Sequence, residues 1–246
     1  MILSFIRHWW LFVLIALSCY LIGSINFAWL ISRSMHKDIT KMGSGNPGTM
    51  NMTREFGWKI GLLTFVLDAL KGGAPVLAMH LIFQKASFVD TAVSVSDFLR
   101  YFCAVFVVIG HIFPATMRHR GGKGIASTLG AYWFALSCEN LWWSLAGFGI
   151  AIVLISFIAI TEWGSLGSLF GVTGCTIAQA IIFVNRYARM SFNPHLVWLF
   201  SFLLALNLLT WCAHYKNITR LFAGEEHHTS FKKFFKKKAK KTQTGK

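Results

Sequence analysis

The chain has 246 residues, of which 55% are hydrophobic and only 13% charged, with a formal net charge of +15. A soluble domain carries about 25% charged residues, so an ordinary soluble protein is excluded and a polytopic membrane protein is expected, with room for six or seven helices at about 20 residues per span. The positive charge does not imply nucleic acid, because it gathers in a C-terminal tail and in short segments beside apolar runs, where charge sets topology and meets lipid.

In chain order, Trp9 to Ser32 reads as a first span carrying a small polar patch, Gly23-Ser24-Ile25-Asn26. It is too long for a signal peptide and lacks a cleavage site. Arg33 to Phe56 is a hydrophilic loop whose core, Gly43-Ser44-Gly45-Asn46-Pro47-Gly48, forbids a regular helix there. The second span, Trp58 to Phe83, holds Asp68 and Lys71 well inside, three residues apart and so on one helix face, where a structural ion pair is favoured over a direct catalytic role. Phe98 to Phe113 is a short third span, and the glycine-rich, basic stretch Gly110 to Thr128 follows it. Ile125 to Cys138 makes a fourth span and Glu139-Asn140 a tight turn. Leu141 to Ile160, about Leu166 to Val184, and His195 to Trp211 complete seven, with a polar break at Thr161 to Ser168 and a loop at Arg186 to Pro194. The expected fold is all-α, with a membrane-embedded domain over residues 1–226 and a basic tail over 227–246. Cys19, Cys103, Cys138, Cys175 and Cys212 show no metal or disulfide spacing and read as packing residues.

Seven spans put the termini on opposite sides. Eighteen of the 24 Lys and Arg then fall with the C-terminus, which the positive-inside rule assigns to the cytoplasm, with the N-terminus outside. All four polar, glycine- or serine-rich segments share that side, which points to a single cytoplasm-facing site.

The residue types in these segments suit an anion. Gly43-Ser44-Gly45-Asn46 offers backbone donors and a hydroxyl, and Arg54 a guanidinium fork; an ordinary turn before a topogenic arginine fits the same residues. Arg118, Arg120 and Lys123 surround Gly121, Gly122 and Gly124, and a helix starting at Ile125 would add its N-terminal N–H groups. The alternative is a basic loop that only fixes orientation. The Walker pattern is absent, so nucleotide is not implied. His214 and Asn217, with Arg220 beyond, lie on one helical face near the membrane surface. Phe231 to Lys241 interleaves lysine with phenylalanine, as a lipid-attached or a solvated tail would. Neither G-x-S-x-G nor H-E-x-x-H occurs.

Taken together the motifs resemble the bacterial acyl-phosphate:glycerol-3-phosphate acyltransferase family, PlsY. The match is carried by Gly23-Ser24-Ile25; by Gly43 to Gly48 with Asn51 and Arg54; by His111-x-Phe113-Pro114 with Gly121-Gly122-Lys123-Gly124; and by His214-x-x-Asn217-Ile218-x-Arg220 through Glu226. Asp68-x-x-Lys71-Gly72 and Ser165-Leu166-Gly167-Ser168 also fit. The resemblance implies acyl transfer from acyl phosphate to the 1-hydroxyl of sn-glycerol 3-phosphate, giving lysophosphatidic acid and phosphate, at the cytoplasmic face of the inner membrane. It implies no cofactor, no metal and no obligate protein partner, with membrane lipid as the surroundings. By resemblance Ser44, Arg54, Lys123, Ser165, His214 and Asn217 are catalytic. Gly43, Gly45, Asn46, Gly121, Gly122, Gly124 and Arg220 bind phosphate, and Asp68, Lys71 and Glu226 are structural. The chain departs from the family at Thr49-Met50 and at Glu162, where a basic residue is usual. The H-x-x-x-x-D signature of acyl-CoA-dependent enzymes is missing. A transporter of phosphorylated solutes would show internal repeats, and none is found.

Overall fold

The computed structural model describes residues 2–89, 91, 93–190 and 193–225; Glu226 and the 227–246 tail lie outside the described residues. Ten α-helices account for most of the described chain: α1 (Trp9–Ser24), α2 (Phe27–Ser34), α3 (Thr49–Phe56), α4 (Trp58–Phe83), α5 (Val95–Ile112), α6 (Ile125–Ser137), α7 (Leu141–Thr161), α8 (Gly164–Tyr187), α9 (Pro194–Ala213) and α10 (Tyr215–Phe222). The short strands β1 (Ile2–Leu3) and β2 (Ser87–Phe88) pair in parallel and seat the N-terminus against the loop after α4.

Among the described residues, six segments are long and apolar enough to cross a membrane, one of them α1 and α2 taken together. The expected fourth span is the 13-residue α6, about 20 Å long at 1.5 Å per residue and too short to join that group. Exposed tryptophans near helix ends mark two interface levels: Trp9, Trp10, Trp142, Trp143 and Trp198 at one, Trp58 and Trp163 at the other. The bundle exposes large apolar side chains outward, as lipid contact requires.

Lipid tails provide no hydrophobic drive between helices, so close van der Waals approach must hold them together. Glycine supplies it in reciprocal pairs. A Cβ on Gly23 of α1 would lie 2.1 Å from the Val107 carbonyl oxygen of α5, and one on Gly110 of α5 would lie 2.2 Å from the Tyr20 oxygen of α1. Gly72 of α4 and Gly130 of α6 repeat the arrangement, at 2.0 Å from Ser127 O and 2.1 Å from Ala69 O. Gly167 and Gly171 of α8 instead receive Ile158 and Leu154 of α7.

The first span is not continuous. The helix breaks at Ile25, whose carbonyl accepts a hydrogen bond from Lys71 Nζ at 2.6 Å. Asn26 then caps α2 by accepting from the Trp29 N–H at 2.8 Å. A partner 46 residues away makes the break, so the local sequence did not reveal it. The loop after this span is also more ordered than expected, because α3 forms within it and buries Asn51 and Met52.

Candidate active site

The break between α1 and α2 is the hub on which the polar segments assemble. Asn26 Nδ2 donates to Pro47 O at 3.2 Å, which attaches the first loop. Thr116 Oγ1 donates to Ser24 O at 3.0 Å and Tyr20 OH to Phe113 O at 3.0 Å, which attach the Gly110–Thr128 stretch. Lys71, paired with Asp68 at 2.9 Å, reaches the same point from α4. Both residues are buried, and the cation sits against the carbonyl end of α1, where the helix dipole favours it. The expected ion pair is therefore present, and it meets the hub at the Ile25 carbonyl.

The first loop is organised by Asn51, to which the sequence reading gave no role. Its Nδ2 donates to Met42 O at 2.9 Å and Ile39 O at 3.3 Å, and its Oδ1 accepts from the Ser44 N–H at 3.1 Å. The Gly45 N–H goes to Met42 O and the Asn46 N–H to Ser44 Oγ. The backbone donors expected to face an anion at Gly45 and Asn46 are thus spent inside the loop. Gly43 and Gly45 are needed for their positive φ, 53° and 70°, which L side chains resist. What the loop presents is the exposed Ser44 side chain, with half-buried Arg54 in the last turn of α3.

The same correction applies to the second stretch. The N–H groups of Gly121 and Gly122 donate to Ile112 O and His111 O, at 3.0 and 3.1 Å, so they are not a free cradle. Their lack of a Cβ allows contact: one would fall 1.9 Å from His111 O at Gly121 and 2.3 Å from His111 Nε2 at Gly122. His111, a motif residue whose role the sequence left open, is the buried platform beneath this turn, with Nδ1 3.7 Å from Asp68 Oδ1 and 3.5 Å from Ser127 Oγ. Gly124, at φ 82°, ends the turn and opens α6, whose first-turn N–H groups have no partner within the helix. Arg118 and Arg120 are exposed, whereas Lys123 is half-buried.

Lys123 is where the distant segments meet. Its Nζ donates to Asn217 Oδ1 of α10, and Asn217 Nδ2 donates to Ser165 Oγ of α8 at 2.8 Å. Three expected catalytic residues, 52 positions or more from Asn217 in the case of Lys123 and Ser165, form one hydrogen-bonded line. Ser165 was expected in a loop but lies in the first turn of α8. Two helix N-termini, of α6 and α8, therefore lie beside this line, each bringing positive dipole charge. His214, buried at the junction of α9 and α10, has its Nδ1 2.7 Å from Thr210 O. A carbonyl only accepts, so Nδ1 carries a proton. Arg220 is half-buried one turn beyond Asn217 on α10. Glu162 ends α7 in the left-handed conformation, φ 60°, two residues before α8.

This end of the bundle offers lysine, arginine, hydroxyl and amide donors, two helix N-termini and one histidine. Such a set has the chemistry to suit a phosphate.

Comparison with known proteins agrees. The family profile described as glycerol-3-phosphate acyltransferase matches residues 13–224. The chain is 34% identical over 227 residues to a glycerol-3-phosphate acyltransferase of Pseudothermotoga lettingae, covering 92% of this chain and 98% of the relative. It is 32% identical over 217 residues to one of Paraburkholderia xenovorans, covering 87% and 89%. Among solved structures it is similar to PlsY, an integral membrane glycerol 3-phosphate acyltransferase, in its glycerol 3-phosphate form, with a TM-score of 0.69, 26% identity, and coverage of 88% of this chain and 94% of that one. The lysophosphatidic acid form of the same protein gives a TM-score of 0.68. With the motifs, the helical membrane fold and these matches in agreement, the chain belongs to the PlsY family of glycerol-3-phosphate acyltransferases.

Proposed function

We propose that the protein transfers a fatty acyl group from acyl phosphate to the 1-hydroxyl of sn-glycerol 3-phosphate, releasing lysophosphatidic acid and inorganic phosphate. The observation that carries this reading is the Lys123–Asn217–Ser165 line between two helix N-termini. It supplies donors for the phosphate leaving group and for the oxygen on which negative charge develops, and such preorganised donors are the largest single contribution to many acyl transfers. The substrate hydroxyl oxygen attacks the acyl carbon, the bond from that carbon to the phosphate oxygen breaks, and phosphate departs. The hydroxyl proton passes to His214 Nε2 or to a substrate phosphate oxygen. Acyl phosphate is already activated, so an enzyme nucleophile is unnecessary. Ser44 and Arg54 hold the second phosphate, together with Arg220, while Gly43, Gly45, Asn46, Gly121, Gly122 and Gly124 shape the loops that present them.

The site faces the cytoplasm of a bacterial inner membrane, with the N-terminus outside. This orientation is supported by the distribution of Lys and Arg. α6 then acts as a short seventh crossing: Lys123 precedes its first turn, and Glu139, just past its other end, pairs with Arg100 at the start of α5. Purified protein given acyl phosphate and glycerol 3-phosphate should release phosphate only when both are present, and Lys123→Ala should abolish this. Release that depends on neither substrate overturns the reading, and equal activity with acyl-CoA overturns the assignment of the donor.

A further inference from the structure

Helix α10 has two faces with different surroundings. α9 ends at Ala213 and α10 begins at Tyr215, so the short helix leaves the end of a membrane span with only His214 between them. Inward, His214 and Asn217 are buried, and Asn217 takes Lys123 and gives to Ser165. Tyr215 stands about 200° around the axis from Asn217, and Phe222 returns to within about 20° of Tyr215. These two rings are exposed, Tyr215 by 61% and Phe222 by 88%, the latter the most exposed large apolar side chain among the described residues. Lys216 Nζ lies 5.7 Å from the centroid of the Tyr215 ring. Two rings beside a cation suit the headgroup level of a bilayer.

Eight residues, about 12 Å of helix, are too few to be stable alone, so α10 is held by what it packs against on each face. It ends in a defined cap. Gly224, at φ 72°, is left-handed; its N–H donates to Leu221 O at 3.1 Å and the Glu225 N–H to Arg220 O at 2.8 Å, the Schellman pattern. The chain beyond is therefore firmly joined to the helix.

The α10 cations, Lys216 and Arg220, are matched in number by Glu225 and Glu226, so the surplus of charge lies further on. Residues 227–246 contain eight lysines, three phenylalanines and no acidic residue. Phe231, Phe234 and Phe235 interleave with the lysines. An anionic lipid surface takes both, the charge by attraction and the rings at the acyl boundary. Nucleic acid would use the lysines as well, but a segment joined to a membrane span through a helix that turns Tyr215 and Phe222 outward meets the leaflet first.

We propose that the outer face of α10 and the basic segment after it dock together on an anionic leaflet at the active-site end, and that this docking holds Asn217 in line with Lys123 and Ser165. Membrane charge thereby tunes acyl transfer. The docking stands on α10 and the sequence, whereas the coupling rests on the proposed role of Asn217.

The test places the full chain in nanodiscs of palmitoyl-oleoyl phosphatidylcholine, with or without an equal share of the corresponding phosphatidylglycerol. Chymotrypsin cleavage after Phe222, Phe231, Phe234 and Phe235, read by mass spectrometry, reports docking without reference to activity. Phosphatidylglycerol should slow these cuts about tenfold or more at about 0.1 M salt and lose that effect at about 1 M, where the Debye length falls from about 10 Å to 3 Å. Lys→Gln at the seven lysines between Phe231 and Thr242 keeps every cleavage site and should make the two lipids equivalent. Phe222→Ser should give up part of the protection at the remaining three sites. In wild type, phosphatidylglycerol should raise kcat about threefold or more, through better alignment of the site, and in the Lys→Gln variant it should not. Assays with acyl phosphate and separately with acyl-CoA keep this comparison apart from the assignment of the donor. Equal cleavage of wild type in both lipids overturns the docking, and full protection in Phe222→Ser removes α10 from it. Protection with the same kcat response in wild type and the Lys→Gln variant overturns the coupling.

Discussion

Lys71 provides the most demanding test of how the site is built. Its ammonium is held 2.9 Å from Asp68 Oδ1 and 2.6 Å from Ile25 O, with side chains 4% and 2% exposed for the lysine and aspartate. Lys71→Met leaves a buried carboxylate without its partner, which costs about 3–5 kcal/mol when one member of such a pair is removed. It also strips the Ile25 carbonyl of its donor, worth about 1–3 kcal/mol for a buried acceptor. The double variant Asp68→Asn/Lys71→Met removes the charge and keeps only the carbonyl loss, so it should be more stable than the single variant by about 2 kcal/mol. Reversible unfolding of wild type and the two variants in mixed micelles, followed by circular dichroism, gives the comparison. Activity should fall in both, because the hub that carries Pro47 and Thr116 loosens. A Lys71→Met protein within about 0.5 kcal/mol of wild type, the range of an ordinary surface change, or a double variant less stable than the single, would refute the assignment of this pair to the α1 break.

Three further outcomes follow from the geometry. Ser165→Ala and Asn217→Ala should each lower kcat by about 10²–10³, the effect of removing one preorganised donor, with little change in melting temperature; single-turnover kinetics separates this from substrate binding. Gly130→Leu would drive a side chain into the Ala69 carbonyl, where even a Cβ stands at 2.1 Å, and should destabilise by about 3 kcal/mol or more in the same unfolding assay. Asp38, in the loop after α2, is held below its usual carboxylate pKa, first by the Thr40 hydroxyl, against a smaller burial effect and with help from the Thr40 N–H, Arg33 and Lys41. Its folded pKa is depressed, so its support for the 39–41 turn is present above the ordinary value near 3.9 and is lost as pH falls through the lowered one; carboxylate NMR titration against Asp38→Asn reads this directly.

What could be read from the residues was whatever depends on composition and spacing alone. The helical membrane class and the buried Asp68–Lys71 pair fall in that group, whereas the grouping of Lys123, Ser165 and Asn217 came from the family resemblance. The break at Ile25 was hidden because its cause, Lys71, lies in another helix. The glycines of the two loops were read as donors to a ligand because a sequence shows that a Cβ is missing, not what would occupy its place; His111 and Asn51 fill those positions. Arg100 and Arg186 were counted as topological charge and Glu139 as a turn residue, yet they pair across three segments. α6 was given a full span's role because its 13 residues are as apolar as its neighbours', and length alone sets it apart.

The reciprocal glycine contacts carry a consequence for handling the protein outside its membrane. Where α1 meets α5 and α4 meets α6, main chain touches main chain, so each seam has no rotamers to reshuffle and no greasy surface for detergent to invade. Its cohesion comes from dispersion between packed atoms, which is indifferent to whether lipid tails or a micelle surround the bundle. The hub, the Lys71 pair and the His111 platform all stand on these two seams. Extraction should therefore wear away the sparsely packed α7 edge first and leave the floor of the site at its original helix spacing.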